Sequence, residues 1–188
     1  MQLVAPSPEY VPSYAAALET GWSPSNVINV SAGQLAAIFK DPVAFVAGLL
    51  LQGGTITLPD GTAIPRLPFV LRWMWDGSFC GSISLRWQNG THALPSHVLG
   101  HIGYAVVPWK RGRGYATEAL RMMLAEAARI GLHRIEITAD PDNLASQRVI
   151  EKAGGRYVEM FVNAHFGSEP HLRYVVDLNR AEVRTTMP

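Results

Sequence analysis

The chain has 188 residues, 48% of them hydrophobic and 16% charged, and its 16 Lys plus Arg against 15 Asp plus Glu leave a net charge of +1. Apolar content of this order offsets the entropy of ordering and excludes a largely disordered chain, while near-neutrality excludes a long-range field for nucleic acid. Cys80 is the single cysteine, which excludes an intrachain disulfide and a thiolate-rich metal site.

The first residues, MQLVAPSPEY, have neither the basic start nor the apolar run of an export signal. Tyr10, Tyr14 and Leu18 recur at helical spacing, with Gly21 as a stop. After the loop GWSPSNVINV, Ser31 is expected to cap a second helix with Gln34 as reciprocal partner, and Leu35, Ile38 and Phe39 form its apolar face. Asp41-Pro42 starts a third helix that runs to Leu51 and ends at Gly53-Gly54. Pro42 to Leu51 is the longest apolar stretch, and ten residues do not cross about 30 Å of hydrocarbon. A soluble cytoplasmic protein without a membrane partner is therefore expected.

Strands follow. Leu67 to Trp75 and Ser78 to Trp87 read as a hairpin around a two-residue Asp76-Gly77 turn. His101 to Val107 is a third strand, ended by Pro108. Gly114 to Ile130 is a helix with Ala116, Leu120, Met123, Leu124, Ala127 and Ala128 as its buried stripe. Arg134 to Ala139 is a strand, Leu144 to Ala153 a helix, and Arg156 to Val162 and Leu172 to Leu178 are strands. The tail from Asn179 has no pattern. The expectation is one mixed-sheet α/β domain, with residues 1–60 helical, 61–178 the sheet-bearing core and 179–188 a tail. The unit from His101 to Ala139 is expected to be a right-handed crossover with parallel strands.

Chemistry concentrates in VVPWKRGRGYATEAL, Val106 to Leu120. A strand ends there, and Lys110, Arg111, Gly112, Arg113 and Gly114 crowd against a helix start. First-turn amides point at an incoming anion, and the helix dipole adds about 0.3–1 kcal/mol. Gly112 and Gly114 lack a Cβ, so phosphate oxygens reach the backbone, and Arg111 and Arg113 add forked donors. A Walker loop would need Gly-Lys-Ser/Thr, and a dinucleotide fingerprint would need glycine where Thr117 stands. On the residues alone, a solvated basic turn remains the alternative.

This segment resembles the GNAT superfamily of acyl-CoA-dependent N-acetyltransferases, whose pyrophosphate loop is Arg/Gln-x-x-Gly-x-Gly/Ala. Arg111, Gly114 and Ala116 fill its defined positions. Asp142 to Gly155, DNLASQRVIEKAGG, resembles the second cofactor segment in the Asn-x-x-Ser-x-x-x-x-x-Lys-x-Gly form of the ribosomal-protein N-terminal acetyltransferase branch. The likeness is detailed from Gly100 to Gly155, and residues 1–60 match only in being helical.

The resemblance implies a GNAT-like mixed, mostly antiparallel twisted sheet with a central parallel pair, flanked by helices. It implies acetyl-CoA as cofactor, with Val106 and Val107 offering backbone groups to the pantetheine arm and Arg111, Gly112, Arg113, Gly114, Tyr115, Ala116 and Thr117 holding the pyrophosphate. Asn143 is expected to bond the cofactor, or else to cap a helix. The family's proton-donating tyrosine is replaced by Ile150, which leaves Ser146 as the substitute. Residues 1–60 would form part of the acceptor site, and homodimerisation is common among such proteins.

The implied reaction is direct attack of a primary amine, on a small molecule or a protein N-terminus, upon the acetyl thioester in a ternary complex. A lysine amine is only about 0.1% neutral at pH 7.5, an α-amine roughly a third, so the first asks more of a base. His101 is the best-placed base, with Glu118 and a relayed water as alternatives. Glu136 alternates outward from Ile135 and Ile137, toward either the acceptor or solvent. Tyr14, Trp22, Trp73, Trp75 and Trp87 line either an acceptor groove or the core. Two other functions stay open: a non-catalytic acyl-CoA sensor of this fold, and a nucleic-acid binder using Lys110, Arg111, Arg113, Arg121 and Arg129.

Overall fold

The computed structural model describes residues 1–25, 27–57 and 61–178. The helical opening forms as a 3-10 turn, Pro8–Tyr10, then α1 (Val11–Glu19), α2 (Ser31–Lys40) and α3 (Pro42–Leu50). Asp41 caps α3 as expected, its carboxylate accepting from the amides of Val43 and Ala44 at 2.9 Å. Ser31 does not cap α2. Its hydroxyl donates to Asn29, and Gln34 instead accepts the buried Tyr14 hydroxyl. Phe39, expected on the buried face, is exposed.

A short strand, β1 (Gln2–Val4), precedes these helices, and β2 (Thr55–Thr57) pairs with β3 (Ala63–Pro65) after them. Their three-residue lengths are too brief for a readable alternation. The long strands are β4 (Phe69–Trp75), β5 (Phe79–Arg86), β6 (Ile102–Val106), β7 (Arg134–Ala139), β8 (Arg156–Val162) and β9 (Pro170–Asp177), and helices α4 (Tyr115–Arg129) and α5 (Leu144–Lys152) flank β7 in sequence. Trp75 pairs with Phe79, so the hairpin turn holds Asp76, Gly77 and Ser78, one residue more than expected. The tail from Asn179 lies outside the described residues.

The strands form a four-stranded sheet in the order β1-β4-β5-β6, a three-stranded sheet in the order β7-β9-β8 and the β2-β3 pair. Every ladder is antiparallel. The central parallel pair expected from the resemblance, and the parallel crossover expected for His101 to Ala139, are therefore absent among the described residues. The physical reason lies in His101. Its amide donates to the Glu136 carbonyl at 2.7 Å, but the Glu136 amide then donates to the imidazole Nδ1 at 3.0 Å. A side chain thus takes the amide that a backbone carbonyl would take in a ladder, and no ladder forms between β6 and β7 among the described residues. Gly100 permits the approach, since a Cβ there would stand 3.1 Å from the Glu136 carbonyl oxygen.

Strand alternation separates two cores. Met74, Ile83, Leu85 and Ile102 join Ala119, Leu120, Met123 and Ala127 of α4 and Ile135, Ile137 and Ile150. Ala119 stands in the stripe where Ala128 was expected, and Ala128 is exposed. On the opposite face Trp73 and Phe79 pack against Tyr14, Trp22 and Phe45 from the N-terminal region. Tyr14 stacks on Trp73 with centroids 4.5 Å apart. These aromatics are core, not the walls of a groove, and so is Cys80, whose thiol burial pushes up to about 11. No helix among the described residues is long and apolar enough to cross a membrane.

Burial holds the His101 imidazole down at about 4, from an ordinary 6.5. Between these values the unfolded chain binds the proton more readily, so the contribution is complete above about pH 6.5 and is lost as pH falls toward 4. The difference is on the order of 3 kcal/mol. In urea titrations across this range, His101→Gln, which still accepts the Glu136 amide, should show a shallower acid limb. A limb identical to the parent's would remove this role.

Candidate functional site

At the end of β6 the chain makes a 3-10 turn, Pro108–Lys110, and then the loop that opens α4. Gly112 and Gly114 have φ of 75° and 81°, a left-handed conformation that favours glycine, and nothing stands within 4 Å of where their Cβ atoms would lie. Residues 111–114 are exposed. The first helical bond is Glu118 amide to Gly114 carbonyl, so the amides of residues 112–117 donate to no carbonyl of the described chain. Unengaged amides, the positive end of a 15-residue helix and two exposed guanidiniums suit a diphosphate.

The loop is held from below. Lys110 Nζ reaches both Asp76 carboxylate oxygens at 2.8 and 2.9 Å, and the Tyr115 hydroxyl donates to Asp76 at 2.7 Å. These bonds hold the Asp76 carboxyl well below the usual range, with Lys110 the larger cause and Tyr115 the second. Asp76 and its role escaped the sequence reading, which saw only a turn residue. Tyr115 can therefore offer an anion its amide, while its hydroxyl is engaged elsewhere.

Beside the loop lies the gap that β6 and β7 leave. Arg86 amide to His101 carbonyl and Val107 amide to Cys80 carbonyl fix the phase of the β5–β6 ladder. By antiparallel alternation, Tyr104 and Val106 turn their backbone groups toward the gap. Arg111 Nε caps the Val106 carbonyl at 3.3 Å. Val107 is a correction: its amide and carbonyl are both bonded within the fold and its side chain is fully buried. Only Val106 of the expected pair turns its backbone groups to the gap.

Across the gap, the Tyr104 hydroxyl lies 2.8 Å from the Ser146 hydroxyl. Burial pushes the Tyr104 phenol up to about 12, so it stays protonated. Ile150, in the place of the family tyrosine, is fully buried core. Tyr104 thus returns a phenol to this region from another element. No helical or strand periodicity distinguishes it from a core tyrosine. Asn143 caps α5, its side-chain oxygen accepting the Ser146 amide at 3.0 Å.

His101 is 0% exposed, and the lone pair of Nδ1 already receives the Glu136 amide. Its Nε2 has no partner. This imidazole is neutral and committed, which corrects its expected place as an available base. Glu118 is exposed on the opening turn of α4. Glu136 faces away from Ile135 and Ile137, on the side of β7 shared with Thr138. Its carboxylate is 19% exposed and lies 3.4 Å from Arg173 and 3.9 Å from Arg134.

The family described as Acetyltransferase (GNAT) domain matches residues 61–156, just over half of the chain. The curated protein Probable N-acetyltransferase YjcK of Bacillus subtilis (strain 168) is 46% identical over 54 residues, which are 28% of this chain and 30% of that relative's length. Two solved structures share the fold at low identity. RimL, a ribosomal L7/L12 alpha-N-protein acetyltransferase in complex with coenzyme A, has a TM-score of 0.59 at 14% identity, over 93% of this chain and 92% of that one. The aminoglycoside acetyltransferase AAC(6')-Ib in complex with coenzyme A has a TM-score of 0.59 at 15% identity, over 98% of each chain.

Asp76→Asn removes the charge that Lys110 and Tyr115 share. It should weaken coenzyme A binding by roughly three- to tenfold in calorimetry, while the melting temperature moves little. Unchanged affinity would show that the loop keeps its shape without this clamp.

Proposed function

The chain belongs to the acetyltransferase (GNAT) domain family, and from that premise we propose that it moves an acetyl group from acetyl-CoA to a primary amine by direct attack, with both reactants bound. The observation that carries this reading is the array of unengaged amides over residues 112–117, beside an edge of β6 that pairs with no strand among the described residues. Residues 111–117 would hold the diphosphate, and the backbone of Val106 and Tyr104 the arm that follows it. Bound there, acetyl-CoA supplies an acyl carbon open to an amine and a thiolate that departs.

The chain's own residues supply the rest. Glu136 takes the proton from the incoming amine, directly or through water, because it is the carboxylate nearest the point where the two sheets meet. Ser146 delivers a proton toward the departing sulfur, with Tyr104 holding and resupplying its hydroxyl. Tyr104 and Val106 amides face the developing oxyanion. The helices α1 to α3 form the acceptor-side wall. The Asn143-to-Gly154 pattern resembles the cofactor segment of the branch that acetylates ribosomal-protein N-termini, a likeness on the cofactor side that leaves the acceptor open.

The test is release of free thiol from acetyl-CoA in stoichiometric step with amine acetylation. Glu136→Gln should lower kcat by roughly a hundredfold, most for high-pKa amines, and leave coenzyme A affinity unchanged. Ser146→Ala and Tyr104→Phe should each lower kcat by about tenfold, with the double variant scarcely worse than either. Tight coenzyme A binding without thiol release from any amine would replace this reading with that of a sensor.

A further inference from the structure

We infer that Arg86 binds a carboxylate on the acceptor, so that the amine acetylated here is a small amino acid or a similarly compact amino-carboxylate. The inference rests on the transfer reading above and names the substrate class of the same site.

Arg86 ends β5. Strand alternation puts its side chain on the same face as Ser84 of β5 and Gly103 and Ala105 of β6, the face opposite α4. Its Nη2 donates to the Ser84 hydroxyl at 3.3 Å. The same Nη2 lies 3.4 Å from where a Gly103 Cβ would stand, so the guanidinium lies across β6 over the one residue that leaves it room.

Several cations of the fold are matched. Arg72 pairs with Glu126, Lys110 with Asp76, Arg156 with Asp177, and Arg173 with both Glu136 and Glu159. Arg111 and Arg113 are exposed to water. Arg86 is half-buried, and no carboxylate among the described residues stands within ion-pair distance of it. Removal from water disfavours its charge, and the Ser84 hydroxyl answers it with a dipole but no ion-pair partner on the described chain does so with a charge. An anion from outside would.

That anion is not the diphosphate. Val106, at the root of the phosphate loop, pairs with Gly81, five residues along β5 from Arg86 and so about 17 Å away. The acceptor is nearer. The Arg86 amide bonds the His101 carbonyl and the His101 amide bonds the Glu136 carbonyl, which places Glu136 two strand spacings, about 10 Å, from Arg86. The Arg86 guanidinium lies over Gly103, and Glu136 projects from β7 on the face opposite Ile135 and Ile137. An amine directed to Glu136 and a carboxylate directed to Arg86 would lie between these two residues, and the planar guanidinium donates to a carboxylate in bidentate fashion.

The experiment compares acceptors that differ only in this group. Alanine is set against alaninamide and glutamate against glutamine, with thiol release measured at pH values that give equal neutral-amine fractions. In at least one pair kcat/KM should favour the acid by roughly tenfold or more, and Arg86→Gln should erase the preference. Arg86→Lys, which keeps charge but not the fork, should fall between and guards against a variant that does not fold. In parallel, the coenzyme A-saturated chain should bind N-acetylalanine over N-acetylalaninamide, or N-acetylglutamate over N-acetylglutamine, in calorimetry according to the pair that thiol release distinguishes, and Arg86→Lys should weaken this. Thiol release that is indifferent to the carboxylate in both pairs overturns the inference and leaves the transfer reading standing. No thiol release from any amine, with the calorimetric preference intact, overturns the transfer reading and leaves the carboxylate site. Loss of both removes both.

Discussion

His101 joins the two main sheets at one level, where its amide and its ring both engage Glu136 and its carbonyl takes the amide of Arg86. Beyond that level the strands part. A regular ladder would have satisfied the backbone of Tyr104 and Val106 and left no opening. The imidazole takes the second bond of this junction in place of a backbone carbonyl, and beyond it the edge of β6 pairs with no strand among the described residues, the Val106 carbonyl being met by Arg111. Everything proposed for the site depends on that interruption, because an extended ligand arm needs both the space and the unpaired groups. The ring is buried, neutral and already accepting a hydrogen bond, which is what a fastener requires and what a base lacks.

Electrostatics divides labour across the same region. Asp76 draws Lys110 and Tyr115 under the phosphate loop and so spends two polar side chains on shape, leaving backbone amides and exposed arginines for the ligand. On the sheet floor, Glu136 and Glu159 share Arg173. Arg86, drawn out of water without a carboxylate among the described residues, stands apart from these pairs. RimL and the aminoglycoside acetyltransferase resemble this fold equally by TM-score, so the fold does not select among acceptors. The side chains on the floor must do so.

Much of the fold was legible in the chain, for physical reasons that also mark the limits. The 3.6-residue pattern of α4 and the alternation of β7 are strong local signals, and the bounds of β7 and β8 agree with the sequence reading to the residue. The exposed loop before α4 was legible because glycines at a helix start favour such backbone. The antiparallel outcome was not legible, since alternation reports which face is buried and says nothing of the neighbouring strand's direction. Asp76, Tyr104 and Arg86 were invisible as site residues for a common reason. Each acquires its role from a partner 34, 42 or 17 positions away, Lys110, Ser146 and Gly103 respectively, and no window along the chain contains both. His101 drew attention by residue type and strand position, but burial decided its chemistry.

The order β7-β9-β8 carries a consequence for synthesis. The middle strand of that sheet is made after both of its neighbours. While a ribosome is still translating the segment up to Pro170, β7 and β8 have no partner to hydrogen-bond, although α4, α5 and the entire four-stranded sheet have already emerged or are emerging. The half of the molecule that carries the phosphate loop can therefore organise during translation. The opposite wall of the gap closes only when the residues through Asp177 have left the exit tunnel, so the site is completed as a late event of biogenesis.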